Sequence, residues 1–385
     1  MTNTTSRVEL TGVGMHPFGR FENLSVTDMG VTAVRAALEE AGNPTFQAAF
    51  CGTAYSGVAA GHKVLGAIAR TGMPIVDVEA GCASGGAALM LAAGAIRAGQ
   101  YDCVLVFGIE KMPRGIIRSS FFEPWREESG LAATPAYFAL RAQRLMRDSG
   151  LTKEHLARVV VKNRRHGTAN PDAMFRKEVT VEQVLASRVV CEPLHLWMLC
   201  SPNEGAAAVV LRAGTGGGSS GGAGTPVTLE AAVLRSHLPG SVLGEATPLA
   251  GIDDTAITPP TTLAANAAYE EAGIGPGDVD VVECQDTDAA RELLAWEELG
   301  LCGRGEQAAI LAVGDANLGG ARPVNVSGGL LSKGEPLGAS ALGQVVELVR
   351  QLRGEAGPRQ VAGARVGLAH TVGRGANASV TIVKR

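Results

Sequence analysis

Val76-Asp77-Val78-Glu79-Ala80-Gly81-Cys82-Ala83-Ser84-Gly85-Gly86 runs straight into an apolar helical pattern that ends near Ala98. Residues 74–78 read as a short strand that stops in a tight turn, with Cys82 at the mouth of the following helix. Residues 84–98 are Ala, Leu, Met and Gly on nearly every side, and a helix without a polar face is expected to be buried all round. A cysteine at such a helix start meets unpaired N–H groups and the positive end of the dipole, which favour thiolate over thiol. Gly81, Ala83, Gly85 and Gly86 leave room for a substrate beside it. The alternative is an inert buried cysteine, a common fate of that residue.

Working outward, 385 residues are too many for one small core, and two domains of ordinary size are expected. Hydrophobic residues make up 46% and charged residues 19%, enough apolar surface for large cores. The net charge of −4, with no basic run, argues against a nucleic-acid partner. No apolar stretch reaches membrane-spanning length, and the N-terminal MTNTTSRVEL lacks the apolar core of a signal peptide. The seven cysteines are scattered, with no CxxC and no metal-ligand spacing, which suits reduced thiols in the cytoplasm and no bound metal.

Residues 213–226, AGTGGGSSGGAGTP, contain no apolar side chain larger than alanine and read as an exposed connection. They divide the chain into 1–212, which carries Cys82, and 227–385. The two parts resemble each other. Ala33-Val34-Arg35-Ala36-Ala37-Leu38-Glu39-Glu40-Ala41-Gly42 is answered by Ala264-Ala265-Asn266-Ala267-Ala268-Tyr269-Glu270-Glu271-Ala272-Gly273. A strand-like run follows each, at 48–52 and 279–284. Each half then has a Gly-rich turn opening an apolar helix, at 81–85 and 334–339, and a further strand, at 103–107 and 365–370. Strand–helix alternation of this kind predicts α/β halves packed together, with the site at strand ends between them. Cys82 and Glu335 hold equivalent turns and should meet at the centre.

Gly81-Cys82-Ala83-Ser84-Gly85, Asn203-Glu204-Gly205-Ala206-Ala207-Ala208, Val324-Asn325-Val326-Ser327-Gly328-Gly329-Leu330, Gly334-Glu335-Pro336-Leu337-Gly338-Ala339 and Gly367-Leu368-Ala369-His370-Thr371-Val372-Gly373 carry a resemblance. By these stretches the chain resembles the thiolase superfamily, in the branch of sterol-carrier-protein-type thiolases and lipid-transfer proteins. The resemblance implies a duplicated, five-layered αβαβα fold and places the acyl-accepting nucleophile at Cys82.

Other motif positions depart from the family. Its His-Asp-Cys-Phe motif reads Gln285-Asp286-Thr287-Asp288 here, and its Gly-His-Pro reads Gly334-Glu335-Pro336. The acid/base cysteine that other thiolases keep near the C-terminal Gly loop is missing from Thr371-Val372-Gly373. Ordinary thiolysis is therefore not expected, since it needs a base and an acid/base thiol. Gln285 can still donate an amide N–H to a thioester oxygen. Glu335, buried beside a thiolate, would have a raised carboxyl pKa and could exchange a proton with Cys82; the plain alternative is a structural hydrogen bond. The resemblance implies a second oxyanion hole from the backbone N–H groups of Cys82 and Gly373.

Among weaker candidates, Phe121, Phe122 and Trp125 gather much of a 4% aromatic content and suit an apolar substrate wall. His370 is a further substrate-side candidate with an equally good structural reading. His16, His62 and Lys63 read as structural or solvated, and Asn163-Arg164-Arg165-His166 as a solvent-facing helix end.

The expected function is a thiolase-like acyltransferase, in lipid or polyketide-type metabolism, working through a cysteine acyl-enzyme. It would use a coenzyme A thioester as substrate and no bound cofactor. The alternatives are a thiolase-like aldolase acting on acyl-CoA and a non-catalytic scaffold subunit. The resemblance implies aldolase tyrosines in the second and third motifs, whereas Tyr stands only at 55, 101, 137 and 269. It also implies a homodimer and an OB-fold, zinc-ribbon partner protein.

Overall fold

The apolar runs fold as strands covered on both faces, the pattern of sheets held between helix layers. The computed structural model describes residues 7–115, 125, 128, 134–214, 226–239, 257–373 and 377–385. The first half contains β1 (Val8–Gly19), α1 (Val26–Glu40), β2 (Ala48–Gly52), α2 (Ala60–Gly66), β3 (Ile75–Val78), α3 (Ser84–Arg97) and β4 (Cys103–Lys111). A largely helical excursion follows, with α4 (Thr134–Ser149), α5 (Lys153–Thr168), α6 (Val181–Ala186), β5 (Val189–Cys191) and β6 (Leu194–His195), before β7 (Glu204–Ala213) rejoins the sheet. The second half contains β8 (Val227–Ser236), α7 (Pro260–Ala272), β9 (Val281–Cys284), α8 (Ala289–Glu298), α9 (Gln307–Val313), α10 (Gly329–Lys333), α11 (Leu337–Arg353), β10 (Val366–Gly373) and β11 (Asn377–Lys384). Most of the expected 213–226 connection, residues 215–225, lies outside the described residues.

Hydrogen bonds order the strands β3-β2-β4-β7-β1-β8-β11-β10-β9. The middle junction is narrow, since β1 and β8 pair only at Glu9–Thr228 and Leu10–Val227. Outward from it the first half runs β1, β7, β4, β2, β3. The second runs β8, β11, β10, β9, with Val324 bridging Val282 where β3 would stand. In both halves the pairs nearer the junction are antiparallel and the outer pairs parallel. The matching segments 33–42 and 264–273 fall on α1 and α7, which hold equivalent places in this order.

Side-chain alternation along the strands sets the layers. Val104 and Val106 of β4 face a core that contains Leu89 and Ile96 of α3, Val345 and Val349 of α11, and Leu229 of β8. Leu105 and Phe107 face the other way, onto Met29, Val34 and Leu38 of α1. Leu368 and Val372 of β10 likewise belong to the core of Ala264 and Ala268 of α7. Outer helices, sheet, the α3–α11 pair, sheet and outer helices make five layers, αβαβα, the duplicated fold that the motifs imply.

The expectation that α3 is buried all round needs correction. Leu91 is 43% exposed, because α3 follows the edge strand β3 and that side of it is left uncovered by the described residues. The enclosed central helix is α11, in which even Gln344, Glu347 and Gln351 are buried. Their polar groups are matched, as buried ones must be. Gln344 Nε2 donates to His370 O at 3.0 Å, Glu347 pairs with Arg359 at 2.9 Å, and Gln351 Nε2 donates to Arg359 O at 2.8 Å. Gly338 lets α11 start deep in the molecule, since a Cβ there would stand 2.5 Å from Gly52 O. Among the described residues no helix is long and apolar enough to cross a membrane.

Candidate active site

The two central helices begin side by side. Each is preceded two residues upstream by a motif side chain, Cys82 before Ser84 and Glu335 before Leu337. The approach is close, for a Cβ on Gly85 would lie 3.1 Å from Gly338 O. Gly81 takes a φ of +59°, which lets the chain turn from β3 into α3. No side chain caps α3, so its first-turn N–H groups and dipole act on the Cys82 region. Cys82 is 7% exposed and packs with Met112 and Leu337, beside Ala54. The end of β10 closes against the same turn: a Cβ on Gly373 would stand 2.0 Å from Ala80 O and 3.2 Å from the Ala83 Cβ.

Glu335 is 3% exposed, and both its carboxylate oxygens are engaged. Gln285 Nε2 donates to Oε1 at 2.9 Å, and Cys200 Sγ donates to Oε2 at 3.2 Å. Gln285 is oriented from its other end, where Oε1 accepts the Val372 N–H at 2.8 Å. That bond fixes which end of the amide donates.

Residues 199–203 thread between the two motif loops. Cys200 N donates to Thr287 O at 2.8 Å, Glu335 N donates to Ser201 O at 2.9 Å, and Asn203 N donates to Glu335 O at 3.3 Å. The loop carrying Gln285 is anchored by its acids. Asp286 accepts from Leu330 N at 2.6 Å, Leu331 N at 3.1 Å and Asn163 Nδ2 at 2.7 Å, while Asp288 caps α8 through Arg291 N at 3.0 Å.

Burial governs the ionisation of these groups. Burial pushes the Cys200 thiol well above the ordinary cysteine range, and the Glu335 carboxylate adds to the shift. Burial also holds Asp286 well above the carboxylate range, aided by Glu292 and opposed by the Leu330 and Leu331 N–H groups. Burial drives His370 well below the imidazole range, and the nearby Arg291 acts in the same direction.

Cys82, Gln285, Glu335 and Gly373 are thus gathered around the starts of α3 and α11. His370 is set apart from them. Its Nε2 lies 3.1 Å from Thr261 Oγ1 of α7, on the outer side of β10, while its neighbour Thr371 turns inward to Gln344 of α11 at 2.9 Å. Trp125 is 53% exposed, and Phe121 and Phe122 lie outside the described residues. His62 and Lys63 are exposed, and His16 stacks edge-on to Phe21 with centroids 4.7 Å apart.

The solvent-facing reading of 163–166 holds for Arg165 and is corrected for the other three. Asn163, Arg164 and His166 are buried, because α5 lies under the motif loops and its polar groups serve them. Asn163 also donates to Glu292 at 2.6 Å, His166 Nδ1 lies 2.9 Å from Asn325 O, and Arg164 covers the Phe175 ring at 4.0 Å. Cys200 escaped the sequence reading. Its one available signal was its place three residues before the Asn203-Glu204-Gly205 motif. Among the described residues no group of three or more His, Cys, Asp or Glu side chains is arranged to hold a metal ion. Two cavities of about 210 and 260 Å³ flank α9, and none of the residues gathered at the helix starts lines them.

Two family models cover this architecture. "Thiolase, N-terminal domain" matches residues 8–214, and "Thiolase C-terminal domain-like" matches residues 247–385. The chain belongs to the thiolase family. Within it, the chain is 34% identical over 398 residues to sterol carrier protein 2 of Bos taurus, covering 98% of this chain and 72% of that protein. It is 37% identical over 387 residues to benzoylsuccinyl-CoA thiolase subunit BbsB of Thauera aromatica, covering 97% of each. Among solved structures, the Ltp2-ChsH2(DUF35) aldolase superposes with a TM-score of 0.84 at 23% identity, covering 97% of each chain, a likeness of fold.

Proposed function

We propose that the protein is a thiolase-type acyltransferase that carries an acyl group on Cys82. The observation that carries this reading is the convergence of an uncapped helix start at Cys82, the Gly373 backbone against its turn, and the Gln285–Glu335 pair from the other half. Cys82 attacks the carbonyl carbon of an acyl thioester, with coenzyme A as the expected donor. Gln285 has spent one Nε2 hydrogen on Glu335 and offers the second to the thioester oxygen. Backbone N–H groups of Cys82 and Gly373 stabilise the tetrahedral oxyanion. Glu335 receives the proton that Cys82 loses.

A second reading, carbon–carbon cleavage of an acyl-CoA, is favoured by the fold likeness to an aldolase. The absence of tyrosine at 285–288 and 334–336 tells against it. The assembly proposed is a homodimer joined through β3, an edge strand whose Val76 is 42% exposed. A DUF35-type partner is also proposed, because BbsB is a subunit and Ltp2 stands with ChsH2.

The test is mass spectrometry of the Cys82 peptide after incubation with short- and medium-chain acyl-CoA thioesters, with and without the partner. Acylation that Cys82→Ala abolishes supports the reading. An unlabelled Cys82, together with full pathway activity in Cys82→Ala, would leave the scaffold role in its place.

A further inference from the structure

Thioester exchange leaves a proton to be delivered as well as one to be removed. When Cys82 displaces a thiol donor, the departing sulfur leaves as a thiolate unless an acid meets it. Glu335, having taken the Cys82 proton, is its immediate holder, but both of its oxygens are engaged, Oε1 by Gln285 and Oε2 by Cys200, so the route onward runs through a neighbour. A further group of suitable chemistry stands directly against Glu335. Cys200 Sγ donates to Glu335 Oε2 at 3.2 Å, opposite the oxygen that takes the Gln285 bond.

Cys200 is held in place from both sides by backbone. Its N–H is bonded to Thr287 O, and the adjoining Ser201 O accepts the Glu335 N–H. Cys82 is near enough for its charge to act on Cys200. Burial and the Glu335 carboxylate keep Cys200 as a protonated thiol, so it holds a proton and does not compete as a nucleophile.

We propose that Cys200 is the second catalytic thiol of this site and, through Glu335, returns the proton of Cys82 to the departing sulfur. The step balances. The Cys82 sulfur forms a bond to the acyl carbon, and the carbon–sulfur bond to the donor breaks. The Cys82 proton passes to Glu335, the Cys200 proton passes to the leaving sulfur, and Glu335 reprotonates Cys200. Nothing is oxidised or reduced. Run backwards, the same relay deprotonates an incoming thiol acceptor. This assignment rests on the acyl-enzyme reading above and adds a residue to it.

The test compares two acetyl donors on the full chain: acetyl-CoA, whose alkyl thiol needs protonation as it leaves, and S-phenyl thioacetate, whose thiophenol departs readily as the anion. Acetylation of Cys82 is timed by mass spectrometry in the wild type, Cys200→Ala and Cys200→Ser. The relay predicts that both variants lose roughly 10²-fold with acetyl-CoA and stay within about threefold of wild type with the phenyl ester. Retained reaction with the phenyl ester also reports a folded site. An equal loss with both donors, or no loss with either, overturns the relay and leaves Cys200 a packing residue. If the wild type gains no acetyl group on Cys82 from either donor, the acyl-enzyme reading fails first, and the relay goes with it.

Discussion

Substituting Gly373 by alanine tests the site through a single methyl group. The new Cβ would fall 2.0 Å from Ala80 O and 3.2 Å from the Ala83 Cβ, both in the turn that carries Cys82. Side-chain carbons do not approach that closely, so strand end and turn must part by about 1 Å. Gly373 is not at a positive φ, so alanine meets no backbone penalty there and the effect comes from this contact. Overpacking of this kind costs about 1–3 kcal/mol in stability. The catalytic cost should be larger. If Gly373 supplies the proposed oxyanion donor, displacing it by about 1 Å is expected to slow acylation of Cys82 roughly 10²-fold. Thermal melting and timed mass spectrometry of Cys82 acylation read the two effects. A Gly373→Ala protein that acylates at the wild-type rate and melts at the wild-type temperature would refute the packing of this strand end against the Cys82 turn.

Four further outcomes are expected. Cys82→Ala should abolish the acyl-enzyme while melting within a few degrees of wild type, since it removes only a sulfur from a small apolar cluster. Glu335→Ala should destabilise by about 1–3 kcal/mol, read by denaturant titration, because the Gln285 amide and Cys200 thiol lose their acceptor in the interior. Glu335→Gln should be milder in stability yet slow acylation by about 10-fold or more, read by the same mass assay. His370 is held neutral in the fold but takes up a proton below pH 6.5 when unfolded, so its stabilising effect is complete above that pH and lost as pH falls. Melting curves of wild type and His370→Gln should therefore converge or cross as the pH falls from 7 to 5.5.

The fold was legible where local pattern and global layering agree. The apolar runs at 48–52 and 103–107 each became part of a strand, and the Ala-rich pair at 33–42 and 264–273 marked the duplication. The place of Cys82 at a helix start could be read because its turn, strand and helix are contiguous. Gln285 and Glu335 were visible as motif positions, but their hydrogen bond joins residues fifty apart, which no local pattern encodes. Cys200 was hidden for the same reason, in a segment whose structure is set by backbone bonds to two distant loops. The polar face of α5 misled because charge pattern tells only that a surface is polar. It does not tell that Asp286, Glu292 and Asn325 O are there to receive it.

Glu110, near the end of β4, is fully buried and accepts from Ala54 N at 2.9 Å, Tyr55 N at 3.0 Å and Ser56 Oγ at 2.8 Å in its own half, and from Gly338 N at 3.2 Å in the other. The first half therefore supplies the acceptor for the opening turn of the helix on which the second half depends. Separated, the second half would open its central helix without this acceptor, and Glu110 would keep only the donors of its own half. The duplication has thus become an interdependence.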